Sequence, residues 1–479
     1  MSIDTAYLFV YVAPLVFLGV ICWGLFTERS TPKVPEKYQV ILKLRGGRFK
    51  IQDIRKGVSI IGAAGSGKTF SVVYNLLLHF SKYKFSGVIH DYKDQELTEI
   101  ALPLFKAAGV RCYPVSFDRV QYRINPIAPR YLPNEESVNE VAKVLIENLL
   151  EQNLSSSSGS NRFFTDAVEG LLAGLIWKLK SRYPQYCSLP HLIAVFQYLD
   201  TKSLVAFLSS DLIAKSMAGA FINGVDSEKQ TAGVKSTLAN AFKKISSQKM
   251  FYMLSADQIP LDINAVEHHA VISISNNPQY ESAYSPIIAT IIHTITKQMS
   301  VRQREGSFLL MEEAPTIKLP HMHRIPATLR SYNIATIYVM QDKIQNDMLY
   351  GDKASKAILS NLSYQFFGKV NDPDTAKYYE RFFEIIKSPT KSVSKSSGLT
   401  LQSRVTKGEK EVSKRRAHEF FKLKAGEFIA FADGKDRKIN FDFPKHTHVN
   451  EATIDAVDPK VIGECYQDIF AAVKSIFKS

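Results

Sequence analysis

Cysteine is scarce in this sequence. The 479 residues include only Cys22, Cys112, Cys187 and Cys465, and no two of them form a Cys-x-x-Cys pair. The sequence therefore gives no sign of a zinc site of that type or of a disulfide-stapled secreted domain. The 11 histidines are also scattered without the spacing of metal ligands, so neither residue type indicates a structural metal centre.

Acidic residues are too few to balance the basic ones. Lys and Arg number 60 against 46 Asp and Glu, and the formal net charge is +14. This positive balance suits a polyanionic partner or a membrane surface, and it equally suits a basic solvated surface without such a partner. The length exceeds what one hydrophobic core usually serves and predicts two or more domains.

Long apolar runs are absent except at the N-terminus, and residues 171–179 are too short to span a bilayer. Residues 6–26 carry no charge over 21 positions, and as a helix they would extend about 31 Å, the thickness of a bilayer core. Asp4 is the only charged side chain before this run, and basic residues follow from Arg29. This charge order predicts one transmembrane helix with the N-terminus outside and the remaining chain in the cytoplasm. A signal peptide and a buried core helix are the alternatives.

One strong motif contrasts with these absences, a P-loop of the form G-x-x-x-x-G-K-[ST]. Its residues are Gly62, Ala63, Ala64, Gly65, Ser66, Gly67, Lys68 and Thr69. The glycines let the backbone curl so that its N–H groups face phosphate oxygens, while Lys68 reaches the β- and γ-phosphates and Thr69 can bind Mg²⁺. An apolar strand precedes the motif and a helix follows it, as nucleotide binding requires.

Strands alternate with helices around the P-loop, which predicts an α/β fold with a mostly parallel sheet. The expected strands are 38–44, 57–61, 86–91, 110–115, 269–274, 307–311, 335–340 and 364–370, with a closing hairpin of 428–432 and 438–443. Between residues 134 and 253 apolar residues recur at helical spacing, and this stretch is expected to be an inserted all-α domain. The helices expected there are 138–150, 163–179, 189–198 and 233–245.

These patterns divide the chain into five predicted segments. They are a transmembrane anchor at 1–30, the first part of a nucleotide-binding domain at 31–133, the all-α domain at 134–253, the second part of the nucleotide-binding domain at 254–447 and a C-terminal helical tail at 448–479.

Residues 388–416, within the fourth segment, are rich in Ser, Thr and Lys, and we expect a mobile basic loop. The loop is either a DNA contact or merely solvated. Its cations are Lys391, Lys395, Arg404, Lys407, Lys410, Lys414, Arg415 and Arg416, against Glu409 and Glu411.

Paired acidic residues end the strand at 307–311. A strand end opposite a P-loop can hold the metal and polarise the attacking water of an NTPase. Glu312 is the candidate for holding Mg²⁺, directly or through water, and Glu313 is the candidate general base. A charged strand terminus that faces solvent has the same sequence.

Four further polar residues follow or separate these strands. Gln341 ends the next apolar strand, where it can sense the γ-phosphate or the water, or can be an ordinary polar strand end. Arg330 lies between the two strands and is a candidate arginine finger for a neighbouring subunit's nucleotide, or a solvated helix-end residue. Asp91 and Lys93 lie at the end of the strand expected at 86–91, and a ligand role for either stays open.

The chain resembles the coupling proteins of type IV secretion and bacterial conjugation over most of residues 57–443. The segments that carry the resemblance are 62–69, 88–94, 161–166, 308–315, 329–332, Gln341 with Gln345 and 350–351, and 371–376. The order and spacing of these segments are specific, although no single segment after the P-loop would be.

This resemblance implies a RecA-like P-loop NTPase with the inserted all-α domain, ATP and Mg²⁺ as cofactors and a homohexamer with its ATP sites between subunits. It implies an ATPase of the bacterial inner membrane that delivers relaxase-bound single-stranded DNA to a type IV secretion channel. Lys68 and Thr69 carry over as phosphate and metal contacts, Glu312 and Glu313 as the acidic pair, Arg330 as the finger and Gln341 as the sensor.

The chain departs from the family pattern in three respects. Glu312 stands where the pattern usually has Asp, one predicted span replaces the two of many members, and a long C-terminal docking tail is missing. Two alternatives therefore stay open besides DNA transfer. The chain can be a coupling ATPase for protein effectors, or a nucleotide-gated cargo receptor with little hydrolysis.

Overall fold

The computed structural model describes residues 34–150, 159–395, 403–442 and 456–478, and Phe17 alone in the N-terminal stretch. For residues 159–163, 386–395 and 403–412 it describes the backbone only. Within these ranges, no helix has the length and apolar character needed to cross a bilayer. The transmembrane helix predicted at 6–26 lies, except for Phe17, outside the described residues.

The described residues form thirteen strands. They are β1 Val40–Leu44, β2 Gly47–Ile51, β3 Val58–Ile61, β4 Ser86–Asp91, β5 Arg111–Ser116, β6 Ala270–Ser275, β7 Ser307–Met311, β8 Ile334–Met340, β9 Tyr364–Phe367, β10 Ile385–Lys395, β11 Ser403–Ser413, β12 Glu427–Ala432 and β13 Lys435–Asn440.

The α-helices follow in the same order, and a π-helical turn, Thr69–Val73, precedes the first of them. They are α1 Tyr74–Lys82, α2 Glu96–Ala107, α3 Glu135–Leu149, α4 Gly159–Arg182, α5 Leu189–Tyr198, α6 Thr201–Ser209, α7 Leu212–Met217, α8 Gly219–Asn223, α9 Glu228–Lys244, α10 Gln248–Leu254, α11 Glu281–Met299, α12 Ile325–Arg330, α13 Lys343–Tyr350, α14 Asp352–Ser360, α15 Pro373–Glu380, α16 Ala417–Phe421 and α17 Pro459–Ile476.

Nine strands form one central sheet in the order β13-β12-β9-β3-β8-β7-β4-β6-β5. The seven strands from β9 to β5 are parallel, and β12 and β13 are antiparallel at one edge. Strands β3, β4, β6, β7, β8 and β9 are buried at every position, as expected when both faces of a parallel sheet are covered. The predicted α/β fold with a mostly parallel sheet is confirmed.

The chain between β5 and β6 contains helices α3 to α10 and, within its described residues, no strand. Helix α17 packs on this helical segment. The ring of Phe251 in α10 lies 4.9 Å from that of Tyr466 and 5.9 Å from that of Phe470. The bounds of the five segments expected from the sequence remain predictions.

The expectation of a loop at 388–416 is wrong for residues 388–395 and 403–413, which form strands; residues 396–402 lie outside the described residues. Strands β10 and β11 form a separate antiparallel pair with continuous register from Ile385↔Ser413 to Lys395↔Ser403. The segment resembles a loop in composition because it has few large apolar residues, but β-branched Val and Thr recur along both strands and favour extended backbone. Neither strand shows a regular alternation of apolar and polar residues, so the sequence lacks the usual strand signal.

One face of the sheet carries a stack of aromatic rings around Phe308. Its ring lies 4.5 Å from the parallel ring of Phe80 in α1 and 5.8 Å from that of Phe105 in α2. Gly87 in the neighbouring strand β4 leaves the necessary space, because a Cβ at that position would lie 2.5 Å from the Phe308 ring. The stack therefore ties both helices to the strands that end at the acidic pair.

We expect Gly87→Ala to lower the free energy of unfolding by about 1–3 kcal/mol, because the buried Phe308 ring has no space into which it can move. Gly219→Ala is the matched control. A Cβ there would meet no atom within 4 Å, and alanine should be neutral or stabilising at the first position of α8. Chemical denaturation of both variants measures the difference, and equal midpoints would contradict the packing argument.

Candidate nucleotide and metal site

The P-loop joins β3 to the π-helical turn and is held from both sides by backbone hydrogen bonds. The Ala63 N–H donates to the carbonyl of Lys369 at 2.7 Å, and the Gly426 N–H donates to the carbonyl of Ser66 at 2.9 Å. Gly65 and Gly67 have φ angles of +74° and +85°, which glycine adopts without strain. The loop is thus fixed between the residues that follow β9 and those that precede β12.

The loop has features that fit a bound anion. Ser66 Oγ is buried and has no hydrogen-bond partner among the described residues, so its hydroxyl is available to a ligand. Lys68 already has helical dihedral angles, so the N–H groups of the first helical turn lie directly after the glycines. Together with the dipole of the helix, these donors suit a phosphate group.

Lys68 connects the P-loop to the acidic pair. Its ammonium group is buried, donates to the carbonyl of Gly62 at 2.5 Å and lies 3.9 Å from Glu313 Oε1. Burial lowers the pKa of Lys68, and the negative charge of Glu313 opposes that shift. The lysine therefore has internal partners at the position where a P-loop lysine would meet phosphate.

Glu313 has a strained backbone. Its φ and ψ angles of +43° and +52° place it in the left-handed region, which is uncommon for residues other than glycine and often marks functional sites. Gln341 Nε2 donates to Glu313 Oε1 at 3.3 Å. The buried carboxylate is thus held by the amide of the next strand end and faces the lysine of the P-loop.

Both carboxylate oxygens of Glu312 are engaged. The backbone N–H of Tyr92 donates to Oε2 at 3.2 Å, and Lys93 Nζ lies 3.5 Å from Oε1. Burial, with a contribution from the charge of Asp91, raises the pKa of Glu312 to about 8 against the opposing effect of Lys93. Glu312 therefore faces the end of β4, and no hydrogen bond or ion pair joins it to Thr69 in the described part of the chain.

The order of the strands explains which candidate residues meet. Strand β8 lies between the P-loop strand β3 and the acidic strand β7, and the ends of parallel strands converge at one edge of a sheet. Lys68, Glu313 and Gln341 are therefore brought together, with Glu312 beside them.

Arg330 is not brought to this site. It ends α12 before β8 begins, so it lies at the opposite edge of the sheet, about 20 Å away along that strand. There its half-exposed guanidinium is 3.9 Å from Asp53 Oδ2.

Lys93 and the Tyr92 amide are site residues whose contacts the sequence did not reveal. The position of Asp91 and Lys93 at the end of β4 had made both of them candidates. Burial lowers the pKa of Lys93, but the carboxylates of Glu312 and Glu96 outweigh it and the net shift is upward. Asp91 accepts hydrogen bonds from the amide and hydroxyl of Thr98 at 2.8 and 2.6 Å, so it fixes the end of β4 and has no ligand-like exposure.

His90 is fully buried beside this site, and neither of its ring nitrogens has a hydrogen-bond partner in the ranges that the structure describes. Burial lowers its pKa to about 4, so the ring is neutral near pH 7. Among the described residues, no group of three or more His, Cys, Asp or Glu could hold a metal ion. A P-loop magnesium does not need such a group, because phosphate and water supply most of its ligands.

Comparison with known proteins agrees with this geometry. A family model described as Type IV secretory system Conjugative DNA transfer matches residues 28–435. No curated protein matches the chain.

Three solved structures of one bacterial protein are similar to the chain. The unbound monoclinic form of the bacterial conjugative coupling protein TrwBdeltaN70 has a TM-score of 0.68 at 13% identity, covering 88% of this chain and 93% of that one. The plasmid coupling protein TrwB in complex with the ATP analogue ADPNP, and TrwB with ADP and Mg²⁺, each have a TM-score of 0.63 at 12% identity, covering 82% and 87%. At these identities the similarity establishes the fold alone.

We expect Glu312 to make the folded chain less stable as the pH rises. Because the pKa is raised from 4.5 to about 8 in the folded state, the folded chain holds this proton more tightly than the unfolded chain does. The resulting stabilisation is complete below about pH 4.5 and is lost as the pH rises through about 8. Denaturant unfolding across this interval should show a steeper decline for the wild type than for Glu312→Gln, and parallel profiles would refute the assignment.

Proposed function

Since this chain belongs to the Type IV secretory system Conjugative DNA transfer family, we propose that it is a membrane-anchored ATPase that delivers relaxase-bound single-stranded DNA to a type IV secretion channel. The observation that carries the proposal is the meeting of Lys68, Glu313 and Gln341 at the end of three neighbouring strands. A P-loop lysine beside a buried carboxylate and an amide is the arrangement that phosphoryl transfer to water needs.

ATP and Mg²⁺ are the proposed cofactors, as the nucleotide complexes of the structural relative support. Residues 62–69 would hold the phosphates through their backbone N–H groups, and the free Ser66 hydroxyl fits a phosphate oxygen. Thr69 and Glu312 would hold Mg²⁺, which neutralises charge on the phosphates when bound. Because both oxygens of Glu312 already have partners, we propose that its contact with the metal runs through water.

Glu313 is the proposed general base. When phosphate engages Lys68, the carboxylate loses its nearest cation and can accept a proton from water. Gln341 stays hydrogen-bonded to the same carboxylate and keeps it oriented. The left-handed backbone of Glu313 turns the chain directly after β7, so the two consecutive glutamates have different partners. Glu312 contacts the residues after β4, and Glu313 contacts Lys68 of the P-loop.

Arg330 is the proposed finger for the nucleotide of a neighbouring subunit in a homohexamer. Its place at the opposite edge of the sheet rules out a role at its own P-loop, but a head-to-tail ring joins two different surfaces of successive copies. Asp53, its partner within the chain, is already paired with Arg55 at 2.8 Å. Arg330 can therefore leave without stranding a buried charge.

A receptor with little hydrolysis is the second candidate function, and the partners of Glu312 favour it. A metal ligand that stays bound to Lys93 and to the Tyr92 amide would support nucleotide binding better than turnover. The chain would then assemble with cargo and channel in response to ATP without consuming it rapidly.

ATP turnover of the full-length chain, with and without single-stranded DNA, tests the motor. We expect DNA to stimulate turnover and Lys68→Ala to abolish it through weaker nucleotide binding. Glu313→Gln should lower kcat by about 10²- to 10⁴-fold while fluorescent nucleotide still binds, because a general base contributes a factor of that order. Absence of DNA stimulation, with no loss in either variant, would select the receptor.

Mixing experiments test Arg330. If one copy completes the site of the next, Arg330→Ala protein should poison wild-type turnover more than its share of the mixture predicts. Arg302→Ala, an exposed arginine on the same edge of the sheet, is the control and should only dilute activity. Proportional dilution by both variants would remove the finger assignment.

A further inference from the structure

Strands β10 and β11 form a ribbon that is separate from the central sheet. Each strand has 11 residues, so the ribbon is about 33 Å long. We call residues 385–390 with 408–413 the proximal half, and residues 391–395 with 403–407 the distal half. The proximal half contains the strand ends that connect the ribbon to the rest of the described chain.

The base of the ribbon is fixed by ion pairs. Lys414 Nζ lies 2.6 Å from Asp436 Oδ1, and Arg415 Nε lies 2.9 Å from Asp436 Oδ2. Asp436 is in β13, at the edge of the central sheet, and its side chain is nearly buried. These two cations of the 388–416 segment therefore attach the ribbon to the sheet and are not available to a ligand.

Charge is divided unevenly along the ribbon. In the proximal half Lys387 and Lys410 are balanced by Glu409 and Glu411. The distal half has four cations and no acidic residue. They are Lys391, Lys395, Arg404 and Lys407.

The register places two of these cations against each other. Lys391 is directly opposite Lys407, and cross-strand partners lie on the same face of a ribbon, with Cβ atoms about 5 Å apart. Like charges in this arrangement destabilise the pair. A polyanion that lies along this face would attract both lysines and offset their mutual repulsion. The pairing is therefore a physical reason to expect a polyanion on this face.

The composition of the ribbon distinguishes among polyanions. Its two described strands contain no aromatic residue, so the ribbon has no platform on which unpaired bases could stack. A membrane surface would need apolar side chains to insert, and the distal half offers only Val393 and Val405. Duplex DNA needs neither, because Lys, Arg, Ser and Thr suffice to contact its phosphates.

The dimensions agree with a duplex. The major groove of B-DNA is about 12 Å wide and admits a two-stranded β-ribbon. Lys391 and Lys407 lie on one face of the distal half, and the register places Ser392, Ser394, Arg404 and Thr406 on the other face. Hydrogen-bond donors therefore occur on both faces of the ribbon. We propose that the distal half of the ribbon binds the phosphate backbone of duplex DNA without regard to sequence.

This inference extends the proposed function, which concerns a single-stranded cargo, and rests on it only in assigning the chain to DNA transfer. A protein that holds duplex DNA beside its motor could stay on the plasmid from which the transferred strand is drawn. The ribbon's contact does not depend on ATP hydrolysis, so the two proposals can fail separately.

Fluorescence anisotropy with a duplex and a single strand of equal length tests the ribbon in the full-length chain. Combined Lys391→Gln, Lys395→Gln, Arg404→Gln and Lys407→Gln should weaken duplex binding tenfold or more at low salt. The slope of log affinity against log salt should fall by about 0.9 for each phosphate contact removed. Single-strand affinity should fall less.

The matched control removes four exposed lysines from the helical segment and the tail helix, by Lys202→Gln, Lys215→Gln, Lys460→Gln and Lys474→Gln. It changes net charge equally and should bind duplex as the wild type does. Lys391→Arg with Lys395→Arg and Lys407→Arg should also bind normally, because charge and not shape is required.

Binding to vesicles of anionic lipid is measured in parallel. Three results would overturn the proposal: an unchanged duplex affinity in the ribbon variant, an equal loss of duplex affinity in the control variant, or a loss of vesicle binding without a loss of duplex binding. ATP turnover of the wild type, measured on the same preparations, reports on the motor separately. If turnover is absent while duplex binding follows the ribbon charges, the motor reading fails and the ribbon assignment stands.

Discussion

The site depends on two lysine–glutamate pairs held side by side at the end of a parallel sheet. Lys68 faces Glu313, and Lys93 faces Glu312. Lys68, Glu312 and Glu313 are nearly buried. Removal of one member of a pair would therefore leave the charge of its partner uncompensated. The pairs lie close enough to interact with each other, because the charge of Glu313 contributes to the raised pKa of Lys93, and the charge of Glu312 partly opposes the lowering of the Lys68 pKa by burial. The strand order β3-β8-β7-β4 is what brings the four residues together.

Much of the fold follows from the sequence because buried parallel strands leave a plain signal. Strands β4 and β7 have the bounds that their apolar runs indicate, and helix α5 has those of its helical periodicity. Helix α11 begins at Glu281 and accommodates Pro286 within its second turn. The ribbon of β10 and β11 was missed, because its two strands show no regular alternation of apolar and polar residues.

The site was predictable in its parts and not in its pairings. Motif spacing identifies Lys68 and the two glutamates, but nothing in it tells which lysine each carboxylate faces. That choice follows from the left-handed backbone of Glu313 and from the amide of Tyr92, and both are set by three-dimensional packing. Arg330 shows the same limit, since only the fold places it at the edge away from its own P-loop. The sequence therefore predicts which residues belong to the site, whereas the pairing of those residues is determined by the three-dimensional fold.

The burial of Lys68 has a consequence for the proposed nucleotide site. Its ammonium is hydrogen-bonded to the Gly62 carbonyl and lies near Glu313, so the lysine has partners of its own within the chain. A phosphate that binds at the P-loop would have to compete with these contacts, which would moderate its affinity. In the proposed ATPase the same contacts would take back the lysine when phosphate leaves, and they would thereby favour product release.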